Sequence, residues 1–171
     1  VFPYPADQNN YAEKQIDLLT TYRGGTNEKG EPHGFGTMTK LQGSDYEVWN
    51  SGDTISASKI YQSYSGYFEN GNKKYLGREL KYKVKEKLKV QDKDESWVLR
   101  DTSIVTKTLI HEYLGEYRQT NKRSGQGNFV KYFDAEQGEE NYGKIRGFYK
   151  GYYEPNSTSL YPYKGRHADL S

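Results

Sequence analysis

Six times the chain sets a tyrosine two residues before a glycine: Tyr22 and Gly24, Tyr64 and Gly66, Tyr75 and Gly77, Tyr113 and Gly115, Tyr149 and Gly151, Tyr163 and Gly165. With 18 Tyr and 18 Gly in 171 residues, chance gives about two such triplets, so the spacing is a pattern. In a strand, residues i and i+2 point to the same face, and a ring can fold down over a neighbouring bare glycine. The device belongs to β-structure. It predicts a sheet whose glycines let the backbone coil while tyrosines cover them.

The rest of the chain agrees. Turn-forming clusters such as Asn27-Glu28-Lys29-Gly30, Glu69-Asn70-Gly71-Asn72 and Asn121-Lys122-Arg123-Ser124-Gly125 separate short segments rich in Tyr, Thr, Val and Ile, the signature of an antiparallel all-β domain. Asn70-Gly71 is the strongest hairpin turn. Leu80, Tyr82, Val84, Leu88 and Val90 alternate with Lys81, Lys83, Lys85, Lys87 and Lys89, which reads as a strand with an apolar and a basic face. Similar alternation runs through Ser103–His111 and Tyr142–Tyr153. The one helical candidate is Tyr11–Leu19, capped by Asn9 or Asn10. Eight or nine strands with no compositional break predict a single all-β domain over 1–171, with an extended arm at 1–10 and a tail at 166–171. The expected core includes Leu80, Tyr82, Val84, Leu88, Val90, Trp97, Leu99, Ile104 and Ile110. Strand number and chain length suit a closed antiparallel barrel of about eight strands.

Composition narrows the chemistry. Val, Ile, Leu and Phe number only 30, and 18 Tyr and 2 Trp supply the missing buriable mass. The absence of cysteine excludes disulfides, thiolate metal sites and a cysteine nucleophile. A formal net charge of +2 argues against a dedicated nucleic-acid binder. The start at Val1 and the sequon Asn156-Ser157-Thr158, set in a turn after Pro155, point to export and to glycosylation at Asn156.

Two tyrosine–glycine triplets extend further. Gly34-Phe35-Gly36 follows Tyr22-Arg23-Gly24, and Gly125-Gln126-Gly127 follows Tyr113-Leu114-Gly115 at the same offsets. The run from Tyr22 through Gly30-Glu31-Pro32-His33-Gly34-Phe35-Gly36, then Gly43 and Tyr46, resembles the β-hairpin unit of the MORN (membrane occupation and recognition nexus) repeat family. The likeness covers about a third of the chain and lacks the family's regular period. It implies a single-layer sheet of stacked hairpins acting as a scaffold or membrane-apposed module, in place of a barrel.

Catalytic signatures are missing. His111-Glu112 opens like a zincin helix, but Gly115 stands where the second histidine belongs, so no metal site is expected. The glycine pairs lack the third glycine of a dinucleotide fingerprint, and no cofactor is expected. Asp134-Ala135-Glu136-Gln137-Gly138-Glu139-Glu140 reads as a solvated acidic turn. The leading functional expectation is a non-enzymatic binding protein that takes a small molecule or glycan in an aromatic-lined barrel or groove, with Trp49, Tyr64, Tyr67, Tyr149 and Tyr152 as lining candidates. An enzyme acting through Tyr and carboxylates is a further alternative. Lys81, Lys83, Lys85, Lys87 and Lys89 are read as charge protection of a strand edge or as a contact for an acidic lipid or polyanion, with edge protection favoured.

Overall fold

A computed structural model describes residues 10–51, 54–93, 96–155, 161–162 and 164–169; within its strands the side chains at 43–51, 54–55, 88–93, 96–105, 167 and 169 lie outside the description. Nine strands follow in chain order: β1 (Tyr11–Gln15), β2 (Thr20–Thr26), β3 (Pro32–Ser51), β4 (Thr54–Glu69), β5 (Asn72–Lys93), β6 (Ser96–Tyr117), β7 (Gly125–Tyr132), β8 (Ile145–Tyr153) and β9 (Lys164–Asp169). Each pairs antiparallel with the next in one sheet of order β1 to β9. The all-β expectation holds; the closed barrel does not. Among the described residues no pairing joins β9 to β1, so the sheet is open with two edges.

Register lines up the glycines. Gly24, Gly36, Gly66, Gly77, Gly115, Gly127, Gly151 and Gly165 are cross-strand partners in unbroken succession, ending on Ala12 of β1.

Beside that file, on one face, runs a second file: Tyr22, Met38, Tyr64, Glu79, Tyr113, Phe129 and Tyr149. The tyrosine rings fill the space the glycines leave. A Cβ on Gly36, Gly77 or Gly127 would fall 2.2–2.5 Å from atoms of the Tyr22, Tyr64 or Tyr113 side chain. Each hydroxyl then reaches the carbonyl three residues on: Tyr22 donates to Gly25 O at 2.7 Å, Tyr64 to Tyr67 O at 2.8 Å and Tyr113 to Glu116 O at 3.0 Å. A lone sheet has no second layer to bury its apolar face. Here the rings supply that layer themselves.

A further aromatic stands four residues after three of these tyrosines: Phe68, Tyr117 and Tyr153. The tyrosine of each hairpin meets that ring from the following hairpin edge-on. Tyr22–Phe68 centroids are 5.3 Å apart, Tyr64–Tyr117 5.2 Å and Tyr113–Tyr153 5.5 Å. Edge-to-face pairs add about 0.5–1.5 kcal/mol each beyond their buried area. In the first described hairpin the fourth position is Thr26, which carries no ring. In the last described hairpin, Tyr149 packs on Tyr161 at 4.6 Å. We call this stack the zipper.

The remaining two triplets play another part. Gly77 and Gly165 lie on the returning strands of their hairpins, so Tyr75 occupies the place held elsewhere by Gly34 and Gly125. Those glycines have φ of 83° and 93°, and Tyr75 is forced to 66°. Its ring turns to the opposite face, where Tyr67 lies between Tyr75 (5.0 Å) and Phe35 (5.7 Å). Asn70 and Gly71 form the expected turn, with φ of 48° and 87°. Neighbouring turns are clasped by asparagines: Asn27 Nδ2 donates to Asn70 Oδ1 at 3.1 Å, and Asn121 Nδ2 to Asn72 Oδ1 at 2.9 Å. His33 Nδ1 accepts the Asn70 N–H at 3.2 Å, tying the first hairpin to the second.

Three expectations are corrected. Tyr11–Gln15 is a strand, because β2 offers it a hydrogen-bonding edge; the apolar Ile16, Leu18 and Leu19 follow in an exposed bend where a helix would have no face to bury. Residues 166–169 are part of β9, not a tail. β5 is the fifth of nine strands, so its lysines guard no edge. The main core is the zipper face; of the expected core residues Val84 is buried, Leu80, Tyr82 and Ile110 are half-buried on the strands as described, and the side chains of Leu88, Val90, Trp97, Leu99 and Ile104 lie outside the described residues. Residues 1–9 and Asn156 also lie outside them.

Candidate functional site

Tyr64 and Tyr149 belong to the zipper, and Tyr67 is buried on the opposite face between Phe35 and Tyr75. The structure does not bring them together with Tyr152, which is half-buried on β8. The side chain of Trp49 lies outside the described residues. Lys81, Lys83 and Lys85 share the zipper face with Glu79, and Lys83 and Lys85 meet the connection from β7 to β8. Lys83 Nζ pairs with Asp134 Oδ2 at 2.6 Å, and Lys85 pairs with Glu136. An anionic partner at these two lysines would have to displace both carboxylates. Lys87 is exposed, and the Lys89 side chain lies outside the described residues.

Glu79 is the one acid in the aromatic file, and it is buried. Each carboxylate oxygen has its own cation: Lys73 Nζ at 3.3 Å from Oε1 and Arg123 Nε at 3.4 Å from Oε2. Both cations also cover rings, with Lys73 5.1 Å from the Tyr64 centroid and Arg123 5.4 Å from Tyr113 and 5.2 Å from Phe129. Desolvation holds the Tyr64, Tyr113 and Tyr117 phenols protonated, with the Glu79 charge adding to it, and pushes Tyr22 and Tyr153 up to about 12. Such phenols donate hydrogen bonds; they do not act as bases near neutrality.

His111 flanks the same cluster, its ring 4.9 Å from Phe129. Burial, then the nearby Lys81 and Arg123 charges, lower it to about 4 from 6.5. A histidine whose folded value is depressed binds its proton more readily unfolded, so stability falls as pH drops from about 6.5 toward 4. The side chain retains some solvent contact, and the loss should be on the order of 2 kcal/mol. Urea unfolding of the wild type and His111→Gln at pH 7, 5.5 and 4 checks this. Equal losses in both proteins would remove His111 as the cause.

The opposite face carries an open concavity. A trough of about 530 Å³ lies over the glycine file between β1 and β6, lined by Tyr11, Arg23, Phe35, Thr37, Ser65, Leu76, Arg78 and Leu114. Phe35 is 50% exposed, Leu76 41% and Leu114 46%. Glycines along its floor bring backbone within reach of an occupant. Arg78 is anchored by Glu112, with Nη2 2.6 Å and Nε 3.0 Å from the same Oε2. Chemically this is an apolar surface with a few fixed polar groups, an arrangement suited to binding. The sequence pattern hid it, because Phe35, Leu76 and Leu114 come from different strands and meet only through register. Comparison of the chain with protein-family models, with curated proteins and with solved structures finds no match.

Proposed function

We propose that the protein is a non-enzymatic binding module whose open-face trough receives an apolar-faced small molecule or glycan. The observation that carries this reading is the group of exposed Phe35, Leu76 and Leu114 around a glycine floor, on the face the zipper leaves uncovered. Exposed apolar patches bordered by polar groups mark interaction sites. The ion-paired Glu79 and the protonated zipper phenols support a non-catalytic role. The open sheet of successive hairpins favours a second reading, a MORN-type scaffold whose same face meets a protein or membrane.

Amide chemical shifts recorded with neutral oligosaccharides and with 1-anilinonaphthalene-8-sulfonate test the proposal. Shifts should cluster at Arg23, Thr37, Ser65 and Arg78, and the double variant Phe35→Ala/Leu76→Ala should weaken binding about tenfold, as expected for losing two apolar contacts. Absence of shifts at those amides, or unchanged affinity in the variant, would overturn it. Shifts there with phosphatidylserine vesicles alone would put the scaffold reading in its place.

A further inference from the structure

Beyond the trough, the same open face ends on β7, β8 and β9 in a small basic and aromatic grid. Cross-strand partners set Gln126 beside Tyr152 and Lys164, Asn128 beside Lys150 and Arg166, and Val130 beside Phe148 and Ala168. On β8 the order is therefore aromatic, cation, aromatic along one face, with the opposite face committed to Tyr149 and Tyr153. Phe148, Lys150 and Arg166 are exposed. None of the nine positions is a carboxylate. Lys150 and Arg166 stand directly opposite each other, an arrangement of like charges that disfavours the sheet by itself. Among the described residues, neither forms an ion pair. Arg146, exposed at the bulge where β8 begins, adds another cation nearby.

We propose that this grid binds an acidic polysaccharide, with sugar ring faces on Phe148 and Tyr152 and the acid groups on Lys150 and Arg166. The amides of Gln126 and Asn128 then serve the hydroxyls. The patch spans about 10 Å across three strands and about 14 Å along β8, the length of a few sugar units. Charge density decides against a nucleic acid. Affinity for nucleic acid grows with the number of phosphates neutralised, and so few cations would neutralise only about three. An occupant with sparse acid groups between neutral ring faces matches one cation flanked by two aromatics. This site stands apart from the trough, and neither reading requires the other.

Binding of hyaluronan oligosaccharides, whose single carboxylate per disaccharide leaves alternate rings neutral, to the whole chain, measured by calorimetry at physiological salt, tests the proposal. Poly(dT) and phosphatidylserine vesicles serve as competing probes. Lys150→Ala/Arg166→Ala should weaken oligosaccharide binding at least tenfold. Phe148→Ala, which leaves the charge unchanged, should weaken it several-fold. Phe35→Ala/Leu76→Ala should leave it unaltered, which separates this site from the trough. All substituted side chains are exposed, and unchanged circular dichroism will show that the fold persists. No binding by the wild type, binding unaltered in Lys150→Ala/Arg166→Ala or in Phe148→Ala, or tighter binding of poly(dT) or vesicles would each overturn the assignment.

Discussion

Gly77→Ala is expected to lower the melting temperature by roughly 6–12 °C, corresponding to about 3 kcal/mol in a chain of this length. The added methyl would sit 2.2 Å from Tyr64 Cε2 and 2.5 Å from Cζ. A ring tip on the surface would swing aside. Tyr64 is only 2% exposed and meets Phe68 at 5.0 Å and Tyr117 at 5.2 Å, so it has nowhere to go without losing both edge-on contacts. Moving the ring also breaks its hydrogen bond to Tyr67 O. Differential scanning calorimetry on a double-mutant cycle checks the cause. Tyr64→Leu destabilises by itself, but in that background Gly77→Ala should cost less than half as much, because the obstructing ring is gone. Strict additivity would mean that the glycine serves the backbone and not the tyrosine.

Glu79→Met should destabilise by about 2–4 kcal/mol, although methionine suits an aromatic file and Met38 holds the equivalent place on β3. The loss comes from what remains. Lys73 and Arg123, each partly buried beside a ring, would face one another with no carboxylate between them. The triple variant Glu79→Met/Lys73→Met/Arg123→Met removes the stranded charges and should regain most of the stability, since apolar replacement of a whole buried cluster is often neutral or stabilising. Denaturant unfolding of the single and triple variants measures this. A triple variant weaker than the single one would show that the cations contribute mainly through their rings.

Much of the fold was legible because its signal is local. Tyrosine two before glycine, Asn70-Gly71 and the alternation around Val84 each operate within a few residues. What escaped depends on register. The aromatics at Phe68, Tyr117 and Tyr153 belong to the device, but in a chain with 18 Tyr their spacing does not stand out. Tyr75 matches the triplet in letters while lying on a returning strand. The lysine stripe reads as protection of a strand edge, yet the acidic segment that pairs with Lys83 and Lys85 comes some fifty residues later, at Asp134 and Glu136. Three β-bulges against β5, each adding a residue to β6, have no local marker in the sequence. Glu79 sits in an unremarkable alternation and becomes exceptional only when Tyr64 and Tyr113 flank it. Barrel and open sheet share the same strands; only the pairing of β9 with β1 would separate them, and that is a contact between the two ends of the sheet.

The edge-on zipper gives the molecule a direction and makes it nearly one-dimensional. Each hairpin leans on the next and on little else, so the stack is a short linear lattice with a coupling at each junction. Such a lattice has no single nucleus enclosed by the rest. It melts from its ends, and amide exchange should slow steadily from β1 and β9 toward the β4–β6 interior. The two ends of the described stack differ from its body: Thr26 offers no ring, and Tyr161 stands against Tyr149 where the interior hairpins use the ring of the next unit. The described hairpins are coupled by one repeated contact, and the body of the stack would accept another copy.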